Sequence, residues 1–422
     1  MKNQLTPAFN DLFFARAYYF TFMGGWGFIL PFLNLFYISL GFSGTQIGLI
    51  SSVSAVIGMV ISPVWVSEVK KRPNANRILQ IAMFLGGLGY LAIGFQSIYA
   101  YILLIVIVHS LIASGIMPLS DSMVVTVASE SGQGYGSVRA FASLGWIVSL
   151  LSSGWLVARF GFIAAFIGVF LMWCMGALTI FFIQPRFFSA APQTDQPKPK
   201  LRDTLRTVLQ DRTLRGFAIA IIFIGFLNSG VLQFENVFLS ELGASKQLIS
   251  VAGILSAIVE LPFMVYADRI EKRVGADRLM LMALVLIFVQ RLIVFFLPGI
   301  VTIMAIRFIG GVSFSFYTIS FIGLISSRTQ PHERGTVLAL FTVTLAGMVN
   351  IVAYPASGAF FDLFGAIWLY PLSALGYLIG ALCLWGSRPQ KTIDDGQRSI
   401  VYRLIMSQFL CTNSHLASRS NR

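Results

Sequence analysis

Gly154-Trp-Leu-Val-Ala-Arg-Phe-Gly161 returns 204 residues later as Gly358-Ala-Phe-Phe-Asp-Leu-Phe-Gly365, with Gly-x5-Phe-Gly in common. A second pair keeps nearly the same offset. Phe36-Tyr-Ile-Ser-Leu-Gly41, followed by Gln46, matches Phe238-Leu-Ser-Glu-Leu-Gly243, followed by Gln247, 202 residues on. Pro63 and Pro262, each ending the apolar segment that follows those glutamines, stand 199 apart. Any one match is weak. Three in the same order at almost one offset mark a duplicated unit.

The duplicated material is apolar. Of 422 residues, 56% are hydrophobic and 11% charged, against about 25% charged in soluble domains, so composition alone makes this a membrane protein. A spanning helix needs about 20 mostly apolar residues. Six such segments lie near 11–38, 46–66, 77–96, 99–126, 136–158 and 162–184, and six more near 215–239, 247–267, 278–297, 300–327, 335–360 and 366–386. The fold expected is an all-α polytopic membrane protein with twelve transmembrane helices in two six-helix bundles, over residues 1–184 and 215–388. Between them, 185–214 carries Pro185, Pro192, Pro197 and Pro199 among basic residues and reads as a cytoplasmic linker. Leu201, Leu205, Val208 and Leu209 recur there at helical spacing, which suits a short surface helix. The polar, basic stretch 389–422 is expected to be a disordered cytoplasmic tail.

A net charge of +13 raises the question of nucleic acid, and its distribution answers it. Twenty-four of the 30 lysines and arginines fall in alternate loops and the two ends of the chain, as the positive-inside rule requires. Both termini are therefore expected in the cytoplasm, in a multi-pass protein of the cytoplasmic membrane, and no nucleic-acid partner is expected. Three scattered cysteines, Cys174, Cys383 and Cys411, indicate neither a disulfide framework nor a zinc site. The first residues lack the pattern of a cleavable signal peptide. No Walker lysine motif, zinc-spaced cluster or nucleophile elbow occurs, so no enzyme, ATP-driven pump, metal or cofactor is expected.

Charge inside hydrocarbon is costly, by roughly 2.5–3.5 kcal/mol per residue on insertion scales. Asp121, in Pro118-Leu-Ser-Asp121, and Arg139, in Tyr135-Gly-Ser-Val-Arg139, nevertheless sit at or inside successive spans, with Trp146 two turns beyond Arg139 on the same face. The pair reads either as a ligand site or as an ion pair clamping two helices. Arg139, only about one turn inside its helix, faces either the cavity or the cytoplasmic rim. In the second half, Glu235, Glu260, Arg291 and Arg307 are the charged residues within spans. The two carboxylates read as proton carriers or as structural partners of the arginines. His109 is the one histidine within a span; a lone histidine on an apolar helix is more often a packing residue than a relay.

Duplicated bundles around a midplane site are the build of alternating-access carriers. Pro262-Phe-Met-Val-Tyr-Ala-Asp268-Arg269-Ile-Glu-Lys-Arg273-Val-Gly275 resembles the cytoplasmic gate motif of the major facilitator superfamily. The counterpart Pro63-Val-Trp-Val-Ser-Glu68-Val-Lys-Lys-Arg72 lacks the motif's Gly and Asp-Arg. Gln330-Pro-His-Glu-Arg334-Gly335 resembles a further loop of that gate, so Asp268, Arg269, Arg273 and Arg334 are the gate candidates. Pro118-x-x-Asp121 with Tyr135-Gly136-x-x-Arg139-x3-Ser143-Leu-Gly145 resembles the branch of lactose-, nucleoside- and phenylpropionate-permease-like symporters. That resemblance implies a carboxylate and an arginine holding the substrate, here Asp121 and Arg139, with Trp146 available to stack on it. Arg291 matches in place an arginine used in proton coupling, with Glu235 and Glu260 as the carboxylates. The His and Glu that lactose-permease-like members carry on the tenth helix are absent, where Ala305-Ile-Arg307-Phe-Ile-Gly310-Gly311 stands instead.

Asn34, Tyr37 and Asn236 are the remaining substrate-binding candidates, and Asn34 and Tyr37 serve equally well to bond each other. Gly24-Gly25-Trp26-Gly27 before Pro31 reads as a close-packed, bendable segment. The reading is a monomeric secondary carrier that moves a sugar, nucleoside or aromatic acid with protons. Excess arginine over carboxylate in the spans leans slightly toward an anionic solute, while a sugar or nucleoside suits Asp121, Arg139 and Trp146 as well. A proton-coupled exporter of amphipathic compounds, with 14 methionines and 14% aromatics lining a greasy cavity, and a non-transporting membrane sensor are the rivals.

Overall fold

The computed structural model describes residues 5–188, 201–330 and 332–388; the tail 389–422 lies outside the described residues. It has twelve helices long and apolar enough to cross a membrane. They are α1 (Asn10–Ser39), α2 (Gly44–Val69), α3 (Ala75–Gly94), α4 (Tyr99–Glu130), α5 (Tyr135–Phe160) and α6 (Ile163–Ile180) in the first bundle. The second bundle has α7 (Arg212–Glu241), α8 (Lys246–Val274), α9 (Ala276–Phe296), α10 (Ile300–Arg328), α11 (Arg334–Phe364) and α12 (Ala366–Ser387). A ten-residue linker helix, Leu201–Gln210, precedes α7 and buries Val208 in the second bundle, while Leu205 and Leu209 stay exposed.

The repeats seen in the sequence are helix ends. Gly41 and Gly243 hold φ of 81° and 89°, and Gly161 and Gly365 hold 78° and 81°, a region that favours glycine. The prolines correct one expectation. Pro63 and Pro262 end no segment: both lie inside helices, and α8 runs twelve residues past its proline. An apolar environment gives a helix no better alternative than to continue around the lost hydrogen bond. Pro31, by contrast, falls at a break, Leu30–Phe32, in α1. A second break at Ser114–Gly115 divides α4, and Trp65 of α2 seats its ring there and donates Nε1–H to the carbonyl of Leu111 at 2.8 Å.

Between helices in lipid, close approach replaces the hydrophobic effect as the source of cohesion. The glycines of α1 supply it. A Cβ at Gly24 would meet Ser149 of α5, one at Gly27 the backbone of Trp146, and one at Gly25 the ring of Trp173 on α6. Gly145 of α5 lies against the carbonyl of Phe20.

The bundles meet along two seams, α2 on α11 and α5 on α8. In the first, Gly44 and Gly358 touch backbone to backbone, Gly48 lies on Tyr354 and Pro355, and Ser52 Oγ donates to the carbonyl of Ile351 at 2.7 Å. Asp362 accepts from the N–H of Gly44 at 2.5 Å and, through its other oxygen, from the N–H and hydroxyl of Thr45 at 2.8 and 2.7 Å. In the second seam, Gly154 lies on Ser250 and Gly253 on Leu150; Ala158 takes the place that Asp362 has in the repeat. These contacts occupy the half of the molecule remote from the linker. The hydrogen bonds that join the two bundles directly, Asn34 to Gln233, Asn236 to Pro31, Ser52 to Ile351 and Gly44 and Thr45 to Asp362, lie in that half, while toward the linker Gly58 of α2 has open space beside it.

Candidate functional site

Asp121 has different partners from those expected. It is half-buried on the linker side of α4, where Tyr19 of α1 and Tyr135 of α5 both donate to its Oδ1, the latter at 3.3 Å. Tyr18 and Ser120 are hydrogen-bonded beside them. Arg139 forms no ion pair with Asp121; it is exposed, about 6 Å along α5 from the helix start. Across the seam it lies within electrostatic reach of Glu260 on α8. Glu260 has no ion-pair partner among the described residues; only its carbonyl is engaged, by Ser315. Trp146 is half-buried with its backbone against Gly27.

The second charged group is compact. Glu235 on α7 pairs with Arg307 of α10 at 2.6 Å and Arg291 of α9 at 3.5 Å, and Tyr370 of α12 donates to it at 3.5 Å. Of the two readings open for Glu235, the geometry supplies the structural pairing. Asn236 accepts from Arg307 at 3.0 Å and donates to the carbonyl of Pro31 at 3.2 Å. Asn34 donates to the carbonyl of Gln233 at 2.8 Å. Both asparagines thus bind the opposite bundle's backbone, not each other and not Tyr37.

Between α1, α2, α4, α7 and α11 lies a cavity of about 770 Å³. Asn34 and Tyr37 line it; Asp121, Arg139, Trp146 and Asn236 do not. His109 forms part of its back wall, buried with its ring 4.3 Å from that of Tyr90. A π-helical turn, Leu340–Leu345, brings Thr342 and Val343 of α11 to the rim. Such turns often occur at functional sites in helices. Gln233 of α7 and Asn350 of α11, which no sequence motif singled out, both line the cavity. No group of three or more His, Cys, Asp or Glu suited to a metal ion occurs among the described residues.

A family model described as the MFS_1 like family matches residues 13–372. The chain belongs to that family. It is a major facilitator transporter, and the twelve-helix, two-bundle fold expected from the duplicated sequence is the one found. Among the relatives, the maltose permease of Geobacillus stearothermophilus is 28% identical over 271 residues, covering 63% of this chain and 66% of that permease. The uncharacterized transporter YwbF of Bacillus subtilis is 25% identical over 373 residues, 86% of this chain and 90% of its own. The nucleoside transporter NupG, in a crystal structure of a mutant form, superposes with a TM-score of 0.76 at 17% identity, over 90% of this chain and 100% of that one.

In this MFS_1 like chain the gate-motif residues sit around the linker-side end of α8. Asp268 pairs with Lys272 at 2.6 Å and Arg269 lies over the ring of Tyr266 at 5.8 Å; Arg273 ends that helix and Arg334 begins α11. The loop charges also hide a tie that spacing did not reveal. Arg328 joins Asp277 at 2.9 Å and Asp211 at 3.6 Å, binding the ends of α10, α9 and the linker together.

Proposed function

We propose that this chain is a secondary carrier of a small organic solute of the sugar or nucleoside class, working by alternating access and coupled to protons as a symporter. One observation carries the reading: the close backbone contacts and direct hydrogen bonds between the two bundles gather on the side remote from the linker, with a cavity between the bundles. With the linker side cytoplasmic, as its lysines and arginines favour, this is the state that exchanges solute with the cytoplasm. The named substrates of the maltose permease and the nucleoside transporter support the solute class. Glu260 supports the coupling, being a carboxylate in the span without an ion-pair partner among the described residues and opposed by Arg139 across the opening. Asp121 and Arg139 are assigned to the path by which solute enters from the cytoplasm, with Asp268, Arg269, Arg273 and Arg334 closing that side.

Proteoliposomes holding the purified protein, an internal pH dye and external maltose or uridine test the reading. Solute entering together with protons supports symport. Solute entering against proton exit reverses the direction, and binding without flux makes the protein a sensor. Asp121→Ala and Arg139→Ala are each expected to abolish uptake while inserting normally; wild-type uptake in either removes that residue from the path.

A further inference from the structure

Resting on the carrier reading, the chemistry of the cavity wall narrows what it holds. Its polar lining is made of amides, hydroxyls and the imidazole of His109, with Asn34, Ser54, Ser110, Gln233 and Asn350 among them, and among the described residues no Asp, Glu, Lys or Arg lines it. The two arginines within the spans of the second bundle are held elsewhere: Arg291 and Arg307 both pair with Glu235, two residues along α7 from Gln233. Gln233 is the telling member. Its Nε2 donates to Ser357 Oγ at 3.1 Å and to the carbonyl of Tyr354 at 3.4 Å. Because that carbonyl only accepts, the amide's orientation is fixed. Its Oε1 is then a buried acceptor with no donor. A buried acceptor left unpaired costs about 1–3 kcal/mol, and native proteins leave few without a function. Gln233 lines the cavity, so a donor on a bound solute is the partner that this oxygen lacks.

A carboxylate brought here would lose its hydration with no cation to replace it, at a cost of several kcal/mol. A hydroxyl-rich neutral solute gains instead: it donates to Gln233 and exchanges hydrogen bonds with the serines and Asn350. We propose that this recess between α1, α2, α4, α7 and α11 is a binding site for an uncharged polyhydroxylated solute, with Gln233 and Asn350 as the residues that recognise its hydroxyl groups. The slight lean toward an anionic solute that the arginine count suggested is thereby reversed, since those arginines have no place on the wall.

The test is direct binding to detergent-purified protein, by isothermal titration, of three probes: maltose, uridine and 3-phenylpropionate. Maltose or uridine is expected to bind and 3-phenylpropionate not to compete. Gln233→Leu and Asn350→Ala are each expected to weaken binding about tenfold or more, in protein whose elution and melting show it folded. Binding of none of the probes, binding of 3-phenylpropionate alone, or unchanged affinity in both variants overturns the assignment. Solute exchange in proteoliposomes is measured separately: its absence where binding persists removes the carrier reading and leaves the recess standing.

Discussion

Asn34 and Asn236 stand 202 residues apart and grip the opposite bundle in the same manner. Asn34 donates to the carbonyl of residue 233, and Asn236 to that of residue 31, carbonyls that are themselves 202 apart. The pseudo-two-fold relation of the halves therefore passes through one pair of reciprocal hydrogen bonds in the half remote from the linker. At Pro31 the break in α1 offers the carbonyl that Asn236 uses.

Removing this clasp is expected to loosen the centre without unfolding either bundle. Asn34→Ala and Asn236→Ala should each lower stability by about 0.6–1.7 kcal/mol. Thermal melts in detergent read this. Because Asn236 also holds Arg307, its variant should be the more damaging of the two; the reverse order would place the asparagines' weight elsewhere.

Asp362 gives a sharper expectation. It occupies the first N–H groups of α2, where a helix favours negative charge. Asp362→Ala should destabilise the closed seam by about 1.5–3 kcal/mol, the range for hydrogen bonds to a charged group. Spin labels at Ser39→Cys and Leu363→Cys, on a background without native cysteines, should then report a longer, broader separation. An unchanged distance distribution would mean that the seam closes without its help.

Steric contact at the same seam permits a complementary variant. A Cβ at Gly358 would collide with the carbonyl oxygen of Gly44, and that neighbour is backbone and cannot rotate aside. Gly358→Leu is expected to hold this end apart. The same label pair should lengthen, with binding from that side retained and release to the other lost.

How much of this was legible in sequence depends on the kind of interaction. The bundles and their spans were legible because apolar length and a motif repeated at a constant offset leave marks in the chain itself. The partners of Asp121 were not, because spacing along the chain says nothing about which neighbour reaches in; Tyr19, 102 residues before Asp121, donates to it where an ion pair with Arg139 was one of the readings. Asp362 was invisible for another reason: its partners are mostly backbone, so no second side chain signals them. Gln233 and Asn350 carry no charge and fit no motif; only the cavity between distant helices gives them meaning.

The buried charges offer a stability test. Glu235 holds two guanidinium groups, and its side chain is 15% exposed. Glu235→Ala leaves both without their shared carboxylate and is expected to cost about 3–5 kcal/mol. Adding Arg291→Leu should recover part of that loss in a melt. No recovery would indicate that Arg291 is satisfied by its other neighbours, among them the ring of Tyr370.

Ala158, standing where the repeat has Asp362, leaves the two seams unequally fastened. The α2–α11 corner is tied by three hydrogen bonds to one carboxylate. Its counterpart at α5–α8 rests on small-residue packing and a lone ammonium, Lys246, 4.8 Å above the ring of Phe162. A closure fastened at one corner opens as a door rather than as a pair of jaws. Under the alternating-access reading the free edge is expected to part first, so that a solute arriving from that side meets a slit along α5 and α8 before a shaft down the middle.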